Sequence, residues 1–113
     1  MQADEARSKN IVEYNDTADK YNSWQSTNLF MQNVCYFTCF KKLEQLGIPG
    51  KSFLEVGCGP CPIGKRLAQE GAAKIFGLDI SQEMIEQARI NLTDLGIIDK
   101  FELVCFDIFD EKF

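Results

Sequence analysis

The chain has 113 residues, 45% of them hydrophobic and 26% charged, enough for one small domain with its own core and not the composition of a disordered chain. A net charge of −5 leaves no basic footprint for nucleic acid, and the lack of any histidine excludes Ser-His-Asp and Cys-His catalysis within the chain. The apolar runs are too short to span a bilayer, and the polar start MQADEARSKN does not read as a secretory signal.

In chain order, the first predicted element is a helix over about residues 8–23, where Ile11, Tyr14, Ala18 and Tyr21 share one apolar face. A second helix is expected over about 27–46. Phe30, Val34 and Phe37 share its face, Tyr36, Phe40 and Leu43 widen it, and GIPGK ends it. The pattern then changes. SFLEVG (52–57) is a short apolar run before a glycine turn, hence a buried strand. Pro62 suits the first turn of a helix whose inner face is Ile63, Leu67 and Ala68, with Gly71 as its end. KIFGLD (74–79) is a second strand. Ser81 is an N-cap for a helix with Ile85, Ala88, Leu92 and Leu95 on its core side and Gly96 as its stop. KFELVCFD (100–107) is a third strand. The order after residue 50 is β-α-β-α-β, which implies a parallel sheet and one mononucleotide-binding half of a doubly wound fold.

Residues 54–64, LEVGCGPCPIG, carry two competing chemistries. Cys58-Gly59-Pro60-Cys61 spells a thioredoxin-type dithiol, which needs a low-pKa thiolate at a helix N-terminus. Against it, Gly57 stands where thioredoxins commonly have Trp, and no proline follows residue 62 to supply the cis-proline of that fold. Zinc on Cys35, Cys39, Cys58 and Cys61 is the other cysteine reading. Cys35 and Cys39 sit one helical turn apart among aromatics, so buried free thiols are the simpler expectation, as for Cys105 in its apolar strand. Five cysteines without a signal point to a reducing, cytoplasmic compartment.

The glycines support a cofactor turn instead. Gly57 and Gly59 after a first strand let the backbone approach a ligand and turn sharply into a helix, although Pro62 replaces the third glycine of a dinucleotide fingerprint. Asp79 ends the second strand, where a carboxylate can accept from both hydroxyls of a ribose. Asp107 ends the third strand on the same edge. One extended, adenosine-containing ligand fits the three strand ends. The plainer alternatives are that Asp79 and Asp107 are solvated strand ends, that Glu55 faces a helix N-terminus, and that Tyr14 and Tyr21 are core.

FLEVGCGPCPIGKRLA, GLDISQEMIEQAR and FELVCFDIFD, in this order and spacing, resemble the class I S-adenosylmethionine-dependent methyltransferases over about half of the chain. The upstream VEYNDTADKYNSW resembles a segment that often precedes that domain. The resemblance implies a Rossmann-like sheet, with residues 1–50 as a helical lid or extension and 51–113 as part of the cofactor-binding domain. It implies S-adenosyl-L-methionine as cofactor, with Gly57, Cys58 and Gly59 along its methionine end. Glu55 would act on its amino group directly or through water, Asp79 on the ribose, and Ile80, Asp107 and Ile108 on the adenine. Tyr21, with Tyr14 and Trp24, would form a lid. Cys61, where the family often has a third glycine, is expected as a pocket wall. The methyl acceptor, a small molecule or a protein, and any base come in that family mostly from segments after the third strand. The chain is therefore expected to be a truncated product or fragment holding most of a cofactor site. The first strand would be a free edge able to pair with another chain. A cofactor- or partner-binding half-domain without turnover is the second reading, and the CGPC redox protein the third.

Overall fold

A computed structural model describes residues 3–27 and 31–110 of the chain. The helices are α1 (Ala3–Thr27), α2 (Phe37–Leu46), α3 (Pro62–Gln69) and α4 (Gln82–Asp94), and the strands are β1 (Ser52–Val56), β2 (Lys74–Asp79) and β3 (Phe101–Cys105). A wider π-helical stretch, Met31–Tyr36, leads into α2, and a short 3-10 turn, Ile98–Lys100, leads into β3. The strands form one parallel sheet in the order β1-β2-β3, with Leu54 opposite Phe76 and Leu78 opposite Val104. This is the Rossmann-like β-α-β-α-β arrangement expected from the alternation of apolar runs.

The core lies on one face of that sheet. Ile75 and Phe101 from the strands meet Leu67 and Ala68 of α3, Ile85, Ala88 and Leu92 of α4, and Phe40 of α2. The opposite face is largely open among the described residues, where Leu54 is 59% and Val56 51% exposed with Phe76 and Val104 beside them, though Leu78 on the same face is buried. So β1 is not the buried strand its apolar run predicts, but it is the edge strand expected above. It sits at the sheet's edge with one face covered. Helical spacing identifies an apolar stripe but not which part of it finds a partner. Thus in the second helix Phe40 is buried while Val34 and Phe37 are exposed, and Leu95, the C-cap of α4, is exposed. Cys35 and Cys105 are likewise exposed rather than core. Phe30 falls outside the described residues.

The sequence places α1 too short and misreads its seam. The helix begins at Ala3, not near residue 8, and among the described side chains of the predicted apolar face (Ile11, Tyr14 and Ala18) Ala18 is the buried one. Polar side chains join α1 to α4 instead. The Ser81 hydroxyl donates to Asn15, whose Oδ1 also takes the Glu83 N–H at 3.3 Å; Gln87 donates to Asp19, and Asn91 donates to Asn22 at 3.1 Å. Residues 15, 19 and 22 lie on one stripe of α1, as 83, 87 and 91 do on α4. At the start of α4, Ser81 Oγ also accepts from Met84 N at 3.2 Å, which caps the helix as its sequence position predicts.

The β1–α3 connection is tight. Pro62 opens α3, but its N-cap, Cys61, makes no side-chain cap bond and is held at φ 65, the left-handed region that favours glycine. The cap comes from β1: Glu55 Oε2 accepts from Gly64 N at 3.1 Å. A Cβ at Gly64 would meet Cys61 Sγ at 2.7 Å, Phe101 Cε1 at 3.0 Å and Glu55 Oε2 at 3.2 Å. Gly64→Ala is therefore expected to destabilise the fold by roughly 1–3 kcal/mol, although alanine is by itself the better helix former. Urea unfolding checks this, and an unchanged or raised midpoint would contradict the packing described.

Candidate functional site

The C-terminal ends of the three strands converge on Asp79. Its Oδ2 accepts from Gly59 N at 2.8 Å, its Oδ1 accepts from Ser81 N at 2.9 Å, and its carbonyl accepts from Phe106 N at 2.9 Å. One residue thus ties the glycine turn after β1, the start of α4 and the exit of β3. The turn is held from the other side by Leu78, whose carbonyl accepts from Gly57 N at 2.7 Å and Cys58 N at 2.9 Å. Gly57 at φ 70 and Gly59 at φ 54 adopt conformations that a side chain would strain. A Cβ at Gly57 would meet nothing within 4 Å, so the backbone there faces open space.

That space is a cavity of about 790 Å³. Val56, Gly57 and Gly59 line it from the first strand end, Leu78, Asp79 and Ile80 from the second, and Phe106 to Phe109 from the third. Six residues expected from the sequence (Gly57, Gly59, Asp79, Ile80, Asp107 and Ile108) are brought together here. Each Asp79 oxygen accepts one backbone N–H in this set and retains acceptor capacity towards the cavity, as a carboxylate has about four acceptor sites. Asp107 is held similarly: Oδ1 accepts from Phe109 N at 2.9 Å, and Oδ2 lies 3.2 Å from Arg7 Nε.

Three expected residues are placed elsewhere. Cys58 is 3% exposed, donates its N–H to Leu78 and packs its thiol against the backbone of Gly77 in β2, so its side chain faces the core. Cys61 is fully buried and does not line the cavity; its thiol donates to Glu55 Oε2 at 3.5 Å, so it is not a pocket wall. Glu55 also lies off the cavity lining and serves the N-terminus of α3, the plainer alternative for it. For Glu55 the cause is the strand's alternation, which sends Phe53 and Glu55 to the covered face and Leu54 and Val56 to the open one. The side chains of Tyr21 and Trp24 fall outside the described residues.

Burial of Glu55 raises its pKa to about 7, and the negative charge of Asp79 adds to this, against the lowering effect of the bonds from Cys61 and Gly64. Contact with the Cys58 thiol, burial and the Glu55 carboxylate hold the Cys61 thiol far above its ordinary pKa. A thiol kept protonated in this way is a poor nucleophile. Among the described residues no group of three His, Cys, Asp or Glu is placed to hold a metal ion, and no helix is long and apolar enough to cross a membrane.

The remaining wall comes from α1 and from Met84 of α4. Ala3, Ala6, Arg7, Asn10 and Tyr14 line the cavity at helical spacing. Of these, sequence reasoning named Tyr14 alone. The signal was present as a stripe of small and polar residues at 3, 6, 7, 10 and 14, but it is not apolar and so does not register as a buried face.

Residues 53–113 match the methyltransferase domain family. The chain belongs to that family. Its class is the S-adenosylmethionine-dependent class I methyltransferases. Over 65 residues this methyltransferase-family chain is 34% identical to the ribosomal protein L11 methyltransferase of Aeromonas hydrophila, a match covering 58% of the chain and 22% of that enzyme. It thus spans under a quarter of the length of that curated relative. A structure from Methanococcus maripaludis, assigned as an S-adenosyl-L-methionine-dependent methyltransferase, superposes with a TM-score of 0.72 at 22% identity, over 85% of this chain and 43% of the other, which establishes the fold. A methyltransferase of Geobacter sulfurreducens, solved with S-adenosyl-L-homocysteine, aligns with a TM-score of 0.50 at 28% identity, over 59% of this chain and 29% of that one.

Proposed function

We propose that this chain binds S-adenosyl-L-methionine along the C-terminal strand edge and holds it for methyl transfer to a small-molecule or protein acceptor. The observation that carries this reading is the Asp79 carboxylate, fixed by Gly59 N and Ser81 N at the mouth of the cavity with acceptor capacity left for two ribose hydroxyls. The cavity's size is ordinary for a cofactor site. Gly57 and Gly59 would admit the methionine end, and Asp107, Ile80 and Ile108 would bound the adenine. Residues 1–50 act as a lid through α1, whose N-terminal turns cover the strand ends.

The bound cofactor supplies a sulfonium methyl group, a good electrophile, so the protein's work is to position it and exclude water. Ile80, Ile108 and Phe106 make an apolar wall suited to that, and no step requires a histidine or a metal. A second reading, a binding half-domain without turnover, is favoured by the open edge of β1 among the described residues, which suits pairing with a further strand. Five free cysteines fit a cytoplasmic setting.

Calorimetric titration with S-adenosyl-L-methionine tests the cofactor assignment: saturable heat at 1:1 stoichiometry is expected, and no heat overturns it. Incubation with the tritiated methyl donor and a cell extract separates the two readings, since label in an acceptor requires turnover.

A further inference from the structure

We infer that Arg7 of α1, paired with Asp107, is a recognition residue for the cofactor's base and selects adenine over its deaminated counterpart. The inference rests on the cofactor reading above. Arg7 Nε lies 3.2 Å from Asp107 Oδ2, Nη1 lies 3.4 Å from Asp4 Oδ1, and the guanidinium sits 5.3 Å from the centre of the Phe109 ring. Two carboxylates and an aromatic face therefore fix one cation, with its side chain 32% exposed, in the cavity wall. The helix that carries it is itself anchored, because Asn15 joins the start of α4 through Ser81 and Glu83.

The pair presents a carboxylate acceptor next to guanidinium N–H donors, since Arg7 keeps donors beyond those given to Asp107 and Asp4. Adenine carries the complement: an exocyclic amino donor beside a ring-nitrogen acceptor. Hypoxanthine reverses both groups, with a carbonyl in place of the amino group and a ring N–H in place of the acceptor. Asp107 alone opposes one of these reversed groups, and Arg7 opposes the other. A site built to pair a polar group discriminates strongly against a ligand that leaves it unpaired.

Calorimetry on the full chain with S-adenosyl-L-homocysteine and S-inosyl-L-homocysteine tests this for the wild type, Arg7→Ala and Arg7→Lys. The wild type should prefer the adenosyl ligand by roughly 100-fold. In Arg7→Ala the adenosyl affinity should fall roughly fivefold to tenfold, and the preference should shrink by about tenfold. Arg7→Lys keeps the charge without the planar fork and should lose most of the same preference. Alanine is the best helix former, so the variant's helix is retained, and circular dichroism verifies it. Unchanged affinity and preference in Arg7→Ala overturn the inference alone. So does tighter binding, which would make the Arg7–Asp107 pair an obstacle to the ligand. Failure of the wild type to bind S-adenosyl-L-homocysteine overturns the cofactor reading and this inference with it, and it is seen before any variant is compared.

Discussion

Asp79→Ala is expected to lower affinity for S-adenosyl-L-homocysteine at least about 100-fold, measured by calorimetry on protein shown to be folded. Two effects add. The first is loss of the acceptors for the ribose hydroxyls, since hydrogen bonds to a charged group contribute about 1.5–3 kcal/mol each. The second is local. Without the carboxylate, Gly59 N and Ser81 N lose the acceptor that fixes the glycine turn against the start of α4. The substitution should therefore also reduce stability, by about 1–2 kcal/mol in urea unfolding. Asp79→Asn separates the two contributions. It fills the same space, but its amide group presents a donor where an N–H or a hydroxyl also donates, so an affinity loss of at least about tenfold is expected. Binding by Asp79→Ala at wild-type strength would remove Asp79 from the cofactor site.

The second large effect concerns Glu55 and pH. Its pKa in the folded protein is raised from 4.5 to about 7 by burial first and by the charge of Asp79. A carboxyl whose pKa is raised on folding binds its proton more tightly in the folded state, so unfolding free energy falls as pH rises between these values. The contribution is fully present below pH about 4.5 and is lost as pH passes about 7, a total of roughly 3 kcal/mol. Glu55→Gln mimics the protonated form and keeps an acceptor for Gly64 N. Its unfolding midpoint should therefore lack this decline, and at pH about 8 the variant should be more stable than the wild type by roughly 1–2 kcal/mol. Parallel pH profiles for the two proteins would show that Glu55 is not the buried group described. Glu55→Ala differs from Glu55→Gln in leaving Gly64 N and the Cys61 thiol without this acceptor, and it should be destabilising at every pH.

The β-α-β-α-β frame was legible because each of its parts follows from local chemistry. Short apolar runs, the first ending at a glycine turn, marked the strands to within two residues at each end, Pro62 opened α3, and Ser81 capped α4. Asp79 and Asp107 were legible as site candidates because a parallel sheet sends every strand's C-terminal end to one edge. Three things were not legible, each for a physical reason. The attachment of α1 runs through Asn15, Asp19 and Asn22, and hydrophobic periodicity does not register a polar seam. The roles of Glu55 and Cys61 depend on which face of β1 is covered, and the sequence of one strand leaves that open. The pairing of Arg7 with Asp107 joins residues 100 positions apart, counted from their numbers, through the placement of a helix that begins earlier than its apolar residues indicate. The CGPC letters fall into place in the same way: Cys58 packs under Gly77 and Cys61 beneath α3, so both thiols support the turn from inside.

One cofactor is proposed to span the ends of β1, β2 and β3. Backbone amide chemical-shift mapping during titration with S-adenosyl-L-homocysteine tests it most directly. The largest perturbations are expected at Gly57, Gly59, Ile80 and Ile108, with smaller ones at Arg7 and Tyr14 of α1. Perturbations confined to the open sheet face around Leu54 and Phe76, or none at saturating ligand, would contradict it.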